Sequence, residues 1–346
     1  MRRGNMKAIR ISASITSILI IFTLFAFNPN SIKIESKTAF PSIFSPEDLN
    51  NTDAFSFSVI SDNHGAGPYD NIQMARAAKW ISESKDEFVI GVGDHLVKNS
   101  ENGFLSFLMR DEWWKNNFYP TIADAENDFF GRAQSDWGAG GTFLKLLNFH
   151  KKSNVQVRAN GVEYYAQMHA NGINIHFISL HFPDQPFNAK IAFTEDSKKY
   201  LIQTLQNIDK QDNDIIIVSA HSLWGTWIDD LNPAQQKYVM DKADLLLSGT
   251  THYFERRAPK GYENRGALVV NAGSVNHARF GDFNGFLKIH VMQNPLALVV
   301  QHVNTNNNNV ELMNTPNSYV KYINGPVYPL EFNQLNVTNY VAYSNY

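Results

Sequence analysis

The chain has no cysteine. That excludes disulfides, thiolate metal ligands, a cysteine nucleophile and a lipid-modified cysteine near the N-terminus. Any metal must therefore be held by His, Asp, Glu, Asn or water. Charge is scarce too: 18% of the 346 residues are Asp, Glu, Lys or Arg, and the formal net charge is -3. No basic excess is available to hold a nucleic-acid backbone, so no nucleic-acid partner is expected. Beyond one N-terminal stretch there is no long apolar run of the kind that spans a bilayer. No internal repeat is visible. What the chain does have is 43% hydrophobic and 13% aromatic residues, enough for a substantial core.

The N-terminus reads as a targeting segment. Arg2, Arg3, Lys7 and Arg10 precede an apolar stretch, Ile11 to Phe27, broken only by Ser and Thr. This is the layout of a signal peptide; no clear small-residue cleavage site follows, so an uncleaved membrane anchor is the alternative. The expectation is residues 1–30 as signal peptide or anchor and an exported protein, periplasmic or secreted. Membrane contact is expected only through that anchor. Residues 31–53, polar and proline-containing, read as a linker. Residues 54–304 read as the folded domain, and 305–346, with the run Asn306 to Asn309, as an irregular polar tail.

Within the domain, strand and helix patterns alternate. Phe55 to Ile60 alternates and is β-rich; Phe88 to Val92 and Ile215 to Ser219 are continuous apolar runs; Leu245 to Leu247 ends at Ser248-Gly249. Helical spacing covers Ile72 to Ser84, Phe104 to Trp114, Asp196 to Ile208 and Pro233 to Asp241. Val162 to Met168 and Ile173 to Leu180 flank Asn171-Gly172, a strong hairpin signal. Leu268 to Asn271, Phe286 to Met292 and Leu296 to Val303 read as closing strands. The pattern predicts an α/β domain with two stacked mixed β-sheets flanked by helices.

Several apolar strands run directly into metal-capable side chains: Asp62 and His64, then Asp94, then His221, then His252. A further acidic cluster, Asp124 to Asp128, follows Tyr119 to Ile122. In open α/β sheets, sites form beyond the carboxyl ends of strands, so these ends predict a carboxylate–histidine centre. His150, His169, His176, His290 and His302 lie on strand or helix patterns and read as structural, and Trp113-Trp114 as core.

The ordered series resembles the calcineurin-like metallophosphoesterase superfamily, which includes purple acid phosphatases. That family carries D-x-H, G-D, G-N-H-[DE], an isolated His, and G-H-x-H. Asp62-Asn63-His64, Gly93-Asp94, His221 and Gly249-Thr250-Thr251-His252 match four of these, and Asn271-Ala-Gly-Ser-Val275 resembles the family's terminal N-x-G-S-V. The resemblance covers roughly Phe55 to Val303 and implies a four-layer sandwich. It implies one or two iron, zinc or manganese ions and a small phosphate-ester substrate hydrolysed by metal-activated hydroxide.

By the resemblance, Asp62, His64, Asp94 and His252 hold the first metal, with Asp94 bridging. His221 and a residue of Ala123 to Asp128 would serve the second. Glu126 is the leading choice there, with Asn127 and Asp124 as alternatives. Thr250 stands where the family has a histidine ligand. The family's leaving-group histidine has no assigned counterpart, and His95, His181 and His277 are its candidates. Arg279 is a candidate substrate-phosphate contact. Val97 occupies the position of the purple enzymes' tyrosine, so no purple colour is expected. Two rivals accompany this reading: a degenerate member with one metal and little catalysis, and a single-metal hydrolase of non-phosphate esters.

Overall fold

A strand that reads as a continuous apolar run is covered on both faces, and the second sheet shows it plainly. In the computed structural model, which describes residues 55–97, 103–130, 139–181, 193–221, 227–277, 284–306, 311–313 and 319–329, every residue of β7 (Asp214–Ala220) is buried. Ile215 and Ile217 enter one apolar cluster while Ile216 and Val218 enter another. The same split recurs at Leu245/Leu247 against Leu246 in β8 (Leu245–Ser248), and at Leu268/Val270 against Val269 in β10 (Leu268–Ala272). Alternate side chains of a strand point to opposite faces, so this sheet is covered on both sides.

Among the described residues there are two mixed sheets. One runs in the order β15 (Val327–Pro329), β14 (Tyr319–Tyr322), β12 (Leu296–Asn304), β11 (Gly285–Gln293), β1 (Phe55–Ile60), β2 (Val89–Gly91) and β3 (Phe118–Pro120), with β13 (Glu311–Met313) also on β12. The other runs β4 (Val155–Val157), β5 (Tyr164–Ala170), β6 (Ile173–Leu180), β7, β8, β10 and β9 (Phe254–Arg256). The parallel pairs are β1–β2 and β2–β3 in the first sheet, and β6–β7, β7–β8 and β8–β10 in the second. One core cluster joins Phe57 and Val59 of β1 and Ile289 of β11 to Ile217, Leu247 and Val270 of the second sheet. The second cluster covers that sheet's far face with Leu201 and Leu205 of α6 (Glu195–Asn207) and Val239 and Met240 of α7 (Pro233–Lys242). On the first sheet, α1 (Ile72–Glu83) turns Met74, Ala77, Ala78 and Ile81 inward, and Trp80 meets Phe286 edge-on. Two mixed sheets flanked by helices is the architecture the sequence pattern predicts.

The hairpin forms where Asn171-Gly172 places it, with both residues at positive φ, 48° and 78°. Two expectations are corrected. The helix expected over Phe104 to Trp114 is two, α2 (Gly103–Arg110) and α3 (Glu112–Asn117), because the Asp111 side chain accepts the Trp114 N–H and starts a new helix. The tail expected to be irregular after residue 304 supplies β14 and β15, which extend the sheet from the edge of β12. Four- and three-residue strands beside an asparagine-rich run carry too little periodicity to be read alone; pairing with β12 makes them. No helix among the described residues is long and apolar enough to cross a membrane, and the N-terminal segment read as signal peptide or anchor lies outside them.

The parallel strands set the site. β1, β2 and β3 end together, as do β7 and β8. Two more helices complete this rim: α4 (Asp124–Phe129), directly after β3, and α5 (Gly141–Leu146).

Candidate metal centre

The loops after β1 and β2 are tied to each other through backbone. The Asp62 N–H donates to the Gly93 carbonyl (3.1 Å) and the His64 N–H to the Asp94 carbonyl (2.9 Å). This brings D-x-H and G-D into one frame. The glycines of the motifs then have a shared purpose. A Cβ at Gly93 would lie 2.6 Å from His221 Nδ1, and one at Gly249 would lie 2.7 Å from the same atom and 2.7 Å from the Val92 carbonyl. Both glycines make room for the His221 ring.

Five side chains meet in this space. His252 Nε2 lies 3.1 Å from Asp62 Oδ1 and 3.2 Å from His64 Nε2; His221 Nε2 lies 3.4 Å from Asp94 Oδ2 and 3.9 Å from Asp62 Oδ1; His64 Nε2 lies 4.0 Å from both Asp62 Oδ1 and Asp94 Oδ2. Asp62 is fully buried, His221 and His252 nearly so, and His64 is about a quarter exposed at the mouth. Two donor triads result, Asp62/His64/His252 and Asp62/Asp94/His221.

The tautomers aim the lone pairs inward. His221 Nδ1 donates to the Val92 carbonyl (2.6 Å) and His252 Nδ1 to the His277 carbonyl (2.8 Å), which leaves each Nε2 facing the carboxylates. Asp62 Oδ1, Asp94 Oδ1 and His221 Nε2 are buried with no hydrogen-bond partner. Buried polar atoms are normally satisfied, so converging orphans of this chemistry fit a cation. Oxygen plus imidazole donors suit zinc, iron or manganese. The field has the same sign. Burial opposes charge on both His221 and Asp94, yet each raises or lowers the other: the two aspartates hold the His221 imidazole well above its ordinary range, and His221 holds the Asp94 carboxyl below its own. His64 is pushed down, chiefly by burial.

The backbone is strained at the same place. Asp62, His64, Asp94, Thr250 and His252 all have positive φ, between 47° and 73°. For residues with a Cβ this costs about 1–2 kcal/mol each, and such outliers concentrate at functional sites.

Other expected residues go elsewhere. Glu126, in α4, places Oε1 on the His95 and Leu96 N–H groups (2.6 and 3.0 Å) and Oε2 on the Ala123 N–H (2.8 Å). Its carboxylate is not among the donor triads. Asn127 accepts the Gly140 N–H (2.7 Å) and donates to His181 Nε2 (3.1 Å), whose Nδ1 donates to the Ile122 carbonyl. Asp124, at the first turn of α4, is close enough to His221 to raise its pKa. Were Glu126 at the acid position of G-N-H-[DE], the resemblance would put Asp124 at the Asn and Ala125 at the His; Glu126 or Asn127 at the Asn position are the alternatives. His277 is exposed, its ring 4.9 Å from that of His64. Arg279 lies outside the described residues.

Sequence reading did not single out Ser61, whose hydroxyl is 2.5 Å from Asp62 Oδ2, while Ser274, the serine of N-x-G-S-V, donates its hydroxyl to the Asp62 carbonyl (2.8 Å). Thr250 also enters unexpectedly through its backbone: its N–H donates to Asp62 Oδ2 (3.1 Å), while its hydroxyl is buried without a partner.

His95 is fully buried and both ring nitrogens are engaged: Nδ1 donates to Asn63 Oδ1 (2.5 Å) and Nε2 accepts the Gly93 N–H (3.2 Å). No nitrogen remains to serve a leaving group. Burial pushes its pKa down from 6.5 to about 3. The unfolded chain therefore takes up a proton here that the native state refuses, and stability is lost as pH falls below about 6.5, by up to about 1.4 kcal/mol per unit. His95→Gln keeps a donor and an acceptor but cannot titrate. Urea unfolding at pH 7 and pH 5 should show a smaller loss in the variant than in the wild type; equal losses would remove His95 as the cause.

No family model matches the chain, and no curated protein matches it in sequence. Solved structures do match. GAP50, the anchor in the inner membrane complex of Plasmodium, is 13% identical with a TM-score of 0.44, covering 83% of this chain and 92% of that one. A 5'-nucleotidase from Candida albicans is 15% identical with a TM-score of 0.44, over 73% of this chain and 52% of that one. YfcE, a phosphoesterase from E. coli, is 14% identical with a TM-score of 0.34, over 74% of this chain and 96% of that one. The chain thus spans about half the length of the Candida nucleotidase, and 56% of a Staphylococcus aureus protein provisionally assigned as a 5'-nucleotidase. At these identities the likeness is one of fold.

Proposed function

We propose that this protein is a metal-dependent phosphoesterase of the calcineurin-like kind, exported, acting on small phosphate mono- or diesters. The observation that carries the reading is the convergence of Asp62, His64, Asp94, His221 and His252, drawn from separate loops, with orphaned donor atoms facing one another. A cation held by Asp62, His64, Asp94, His221 and His252 would supply positive charge for the phosphoryl oxygens and would lower the pKa of a bound water. The chain's own residues do the rest. Asp62 and Asp94 would provide the negative charge that holds the cation, and His64 Nε2 lies beside both aspartates. The carbonyls of Val92 and His277 fix His221 and His252 in the tautomer that presents Nε2. Glu126 and His95 position the loop that carries Asp94 rather than touching substrate.

Leaving-group protonation belongs to His277 in this reading. Of the histidines proposed for it, His95 and His181 have both ring nitrogens engaged, and His277 alone is exposed beside His64. The departures at Ala125 and Thr250 favour the rival of a weakly catalytic, metal-binding member, and the same experiment separates the two. Purified protein is assayed with an aryl phosphate across zinc, iron and manganese. Turnover that is lost on chelation and returns on adding metal is expected. Turnover by a metal-free preparation refutes the reading, and bound metal without turnover gives the rival.

A further inference from the structure

Five Asn-Gly pairs occur in the chain, at 102–103, 160–161, 171–172, 284–285 and 324–325, and Asn102 of the first lies outside the described residues. Asparagine is thermolabile, and a following residue without a Cβ lets its amide nitrogen close on the side-chain carbonyl. Closure needs that nitrogen and that side chain to be free, and the fold treats the pairs differently. The Gly161 N–H donates to the Arg158 carbonyl, the Gly285 N–H to the Ser274 carbonyl and the Gly325 N–H to the Tyr322 carbonyl, each at 2.9 Å. The Asn160 side chain is also occupied, donating to Glu163 (2.7 Å) and accepting the Val162 and Glu163 N–H groups (both 3.2 Å), and Asn284 donates to Asn306 (2.8 Å). Asn171-Gly172 is the exception among the described residues. Both residues are exposed at the tip of the β5–β6 hairpin, no hydrogen bond engages the Gly172 N–H or the Asn171 side chain, and no atom lies within 4 Å of where a Gly172 Cβ would stand. What the turn does use are its carbonyls: that of Asn171 accepts Gln293 Nε2 from the end of β11, and that of Gly172 accepts Asn213 Nδ2 (2.8 Å).

We propose that Asn171 is a site of spontaneous deamidation, the one of the four described Asn-Gly pairs that the native fold leaves open to it. The Gly172 nitrogen gives up its proton to solvent base and bonds to Asn171 Cγ; the Cγ–NH2 bond breaks and ammonia leaves, carrying a proton from solvent. The five-membered imide then takes up one water. Opening between Cγ and nitrogen leaves aspartate. Opening between the main-chain carbonyl carbon and nitrogen leaves isoaspartate, with Gly172 attached through the former side chain. The net change is amide plus water to carboxylate plus ammonium, with no redox partner. Aspartate keeps the turn, since Asp-Gly suits the same two-residue loop. Isoaspartate adds one atom to the main chain inside that loop and makes a charged carboxylate of the carbonyl that Gln293 holds. β6 and β7 run parallel from Asn174 and Asp214, so the turn lies at the end of the sheet remote from His221, and the site is independent of the proposed reaction.

Peptide mapping by mass spectrometry tests it. Full-length protein is held in warm, mildly alkaline buffer, sampled over time and digested at low pH, and a parallel sample is held in guanidinium chloride. In the native sample the acid products of Asn171 are expected to form several-fold faster than those of Asn160, Asn284 and Asn324. In denaturant, where the hydrogen bonds are gone, the four are expected to react at similar rates. Co-elution with synthetic peptides separates the isoaspartyl product from the aspartyl one. Native samples in which the four react alike, or in which Asn160, Asn284 or Asn324 leads, overturn the proposal. So does an Asn171 that reacts in denaturant but stays intact in the native protein, because the turn then protects it. A lead for Asn171 that persists unchanged in denaturant also overturns it, since the flanking sequence rather than the fold then sets the rate.

Discussion

Asp94→Asn is expected to lower kcat/KM for an aryl phosphate by at least about 100-fold and to leave the purified protein depleted of metal. The estimate takes the effect of disturbing a ligand's supporting partner, 10–100-fold, as the floor for removing a ligand's charge. The amide keeps the shape of the carboxylate and so isolates the charge. Asp94 Oδ2 reaches toward both His221 (3.4 Å) and His64 (4.0 Å), so one change weakens the hold on the cation from two sides. His221 loses the carboxylate that contributes most to raising its pKa. The comparison is Asp241→Asn on the exposed face of α7, where a surface change stays within about 0.5 kcal/mol. Steady-state kinetics and metal analysis on matched preparations decide it. Full activity and full metal content in Asp94→Asn would remove Asp94 from the centre.

The strain in the loops explains why so few residues can stand here. Asp62, His64, Asp94, Thr250 and His252 adopt left-handed backbone conformations that L-residues normally avoid. The loops are held there by the Asp62–Gly93 and His64–Asp94 backbone bonds, by Ser274 on the Asp62 carbonyl, and by Asn271 Nδ2 on the Gly249 carbonyl (3.2 Å). Residues Asn271 to Val275 therefore hold the loops of the candidate metal centre without contributing one of its five donors. Its serine and asparagine fasten the first and last motif loops in place.

Much of this was legible before any coordinates. Strand patterns reveal the sandwich, because strands covered on both faces, such as β7, β8 and β10, read as short continuous apolar runs bounded by polar residues or glycine. The strand ends that deliver Asp62, His64, Asp94, His221 and His252 were legible for the same reason: each follows an apolar run that stops at a glycine or a small polar residue. Glu126 shows the limit. A buried carboxylate one turn into a short helix reads equally as ligand or as anchor, since composition does not reveal which backbone N–H groups lack a partner. His95 was opaque in the same way, its two partners being Asn63, from the previous loop, and the N–H of Gly93. The strands after residue 304 were hidden because three or four residues do not establish a period, and only the open edge of β12 gives them something to pair with.

The role of Glu126 as an anchor makes a separate prediction, in stability. Its carboxylate is fully buried and accepts three backbone N–H groups, those of Ala123, His95 and Leu96, at 2.8, 2.6 and 3.0 Å. It thereby closes the first turn of α4 and pins the loop that follows Asp94. Truncation to alanine strands three buried donors, each costing about 1–3 kcal/mol when left without a partner. Neighbouring losses are not additive and the helix start can relax, so we expect Glu126→Ala to destabilise the fold by about 3–5 kcal/mol. Glu126→Gln keeps one acceptor oxygen but turns an NH2 group toward a backbone N–H, and should fall between alanine and wild type. Urea unfolding of the metal-free proteins measures this with no contribution from bound cation. Metal analysis of the folded Gln variant at saturating Mn2+ should give the wild-type ratio, because the five donors do not include Glu126. A variant that unfolds like the wild type but binds less metal would show the opposite, that Glu126 is a ligand and the three N–H contacts are incidental to it.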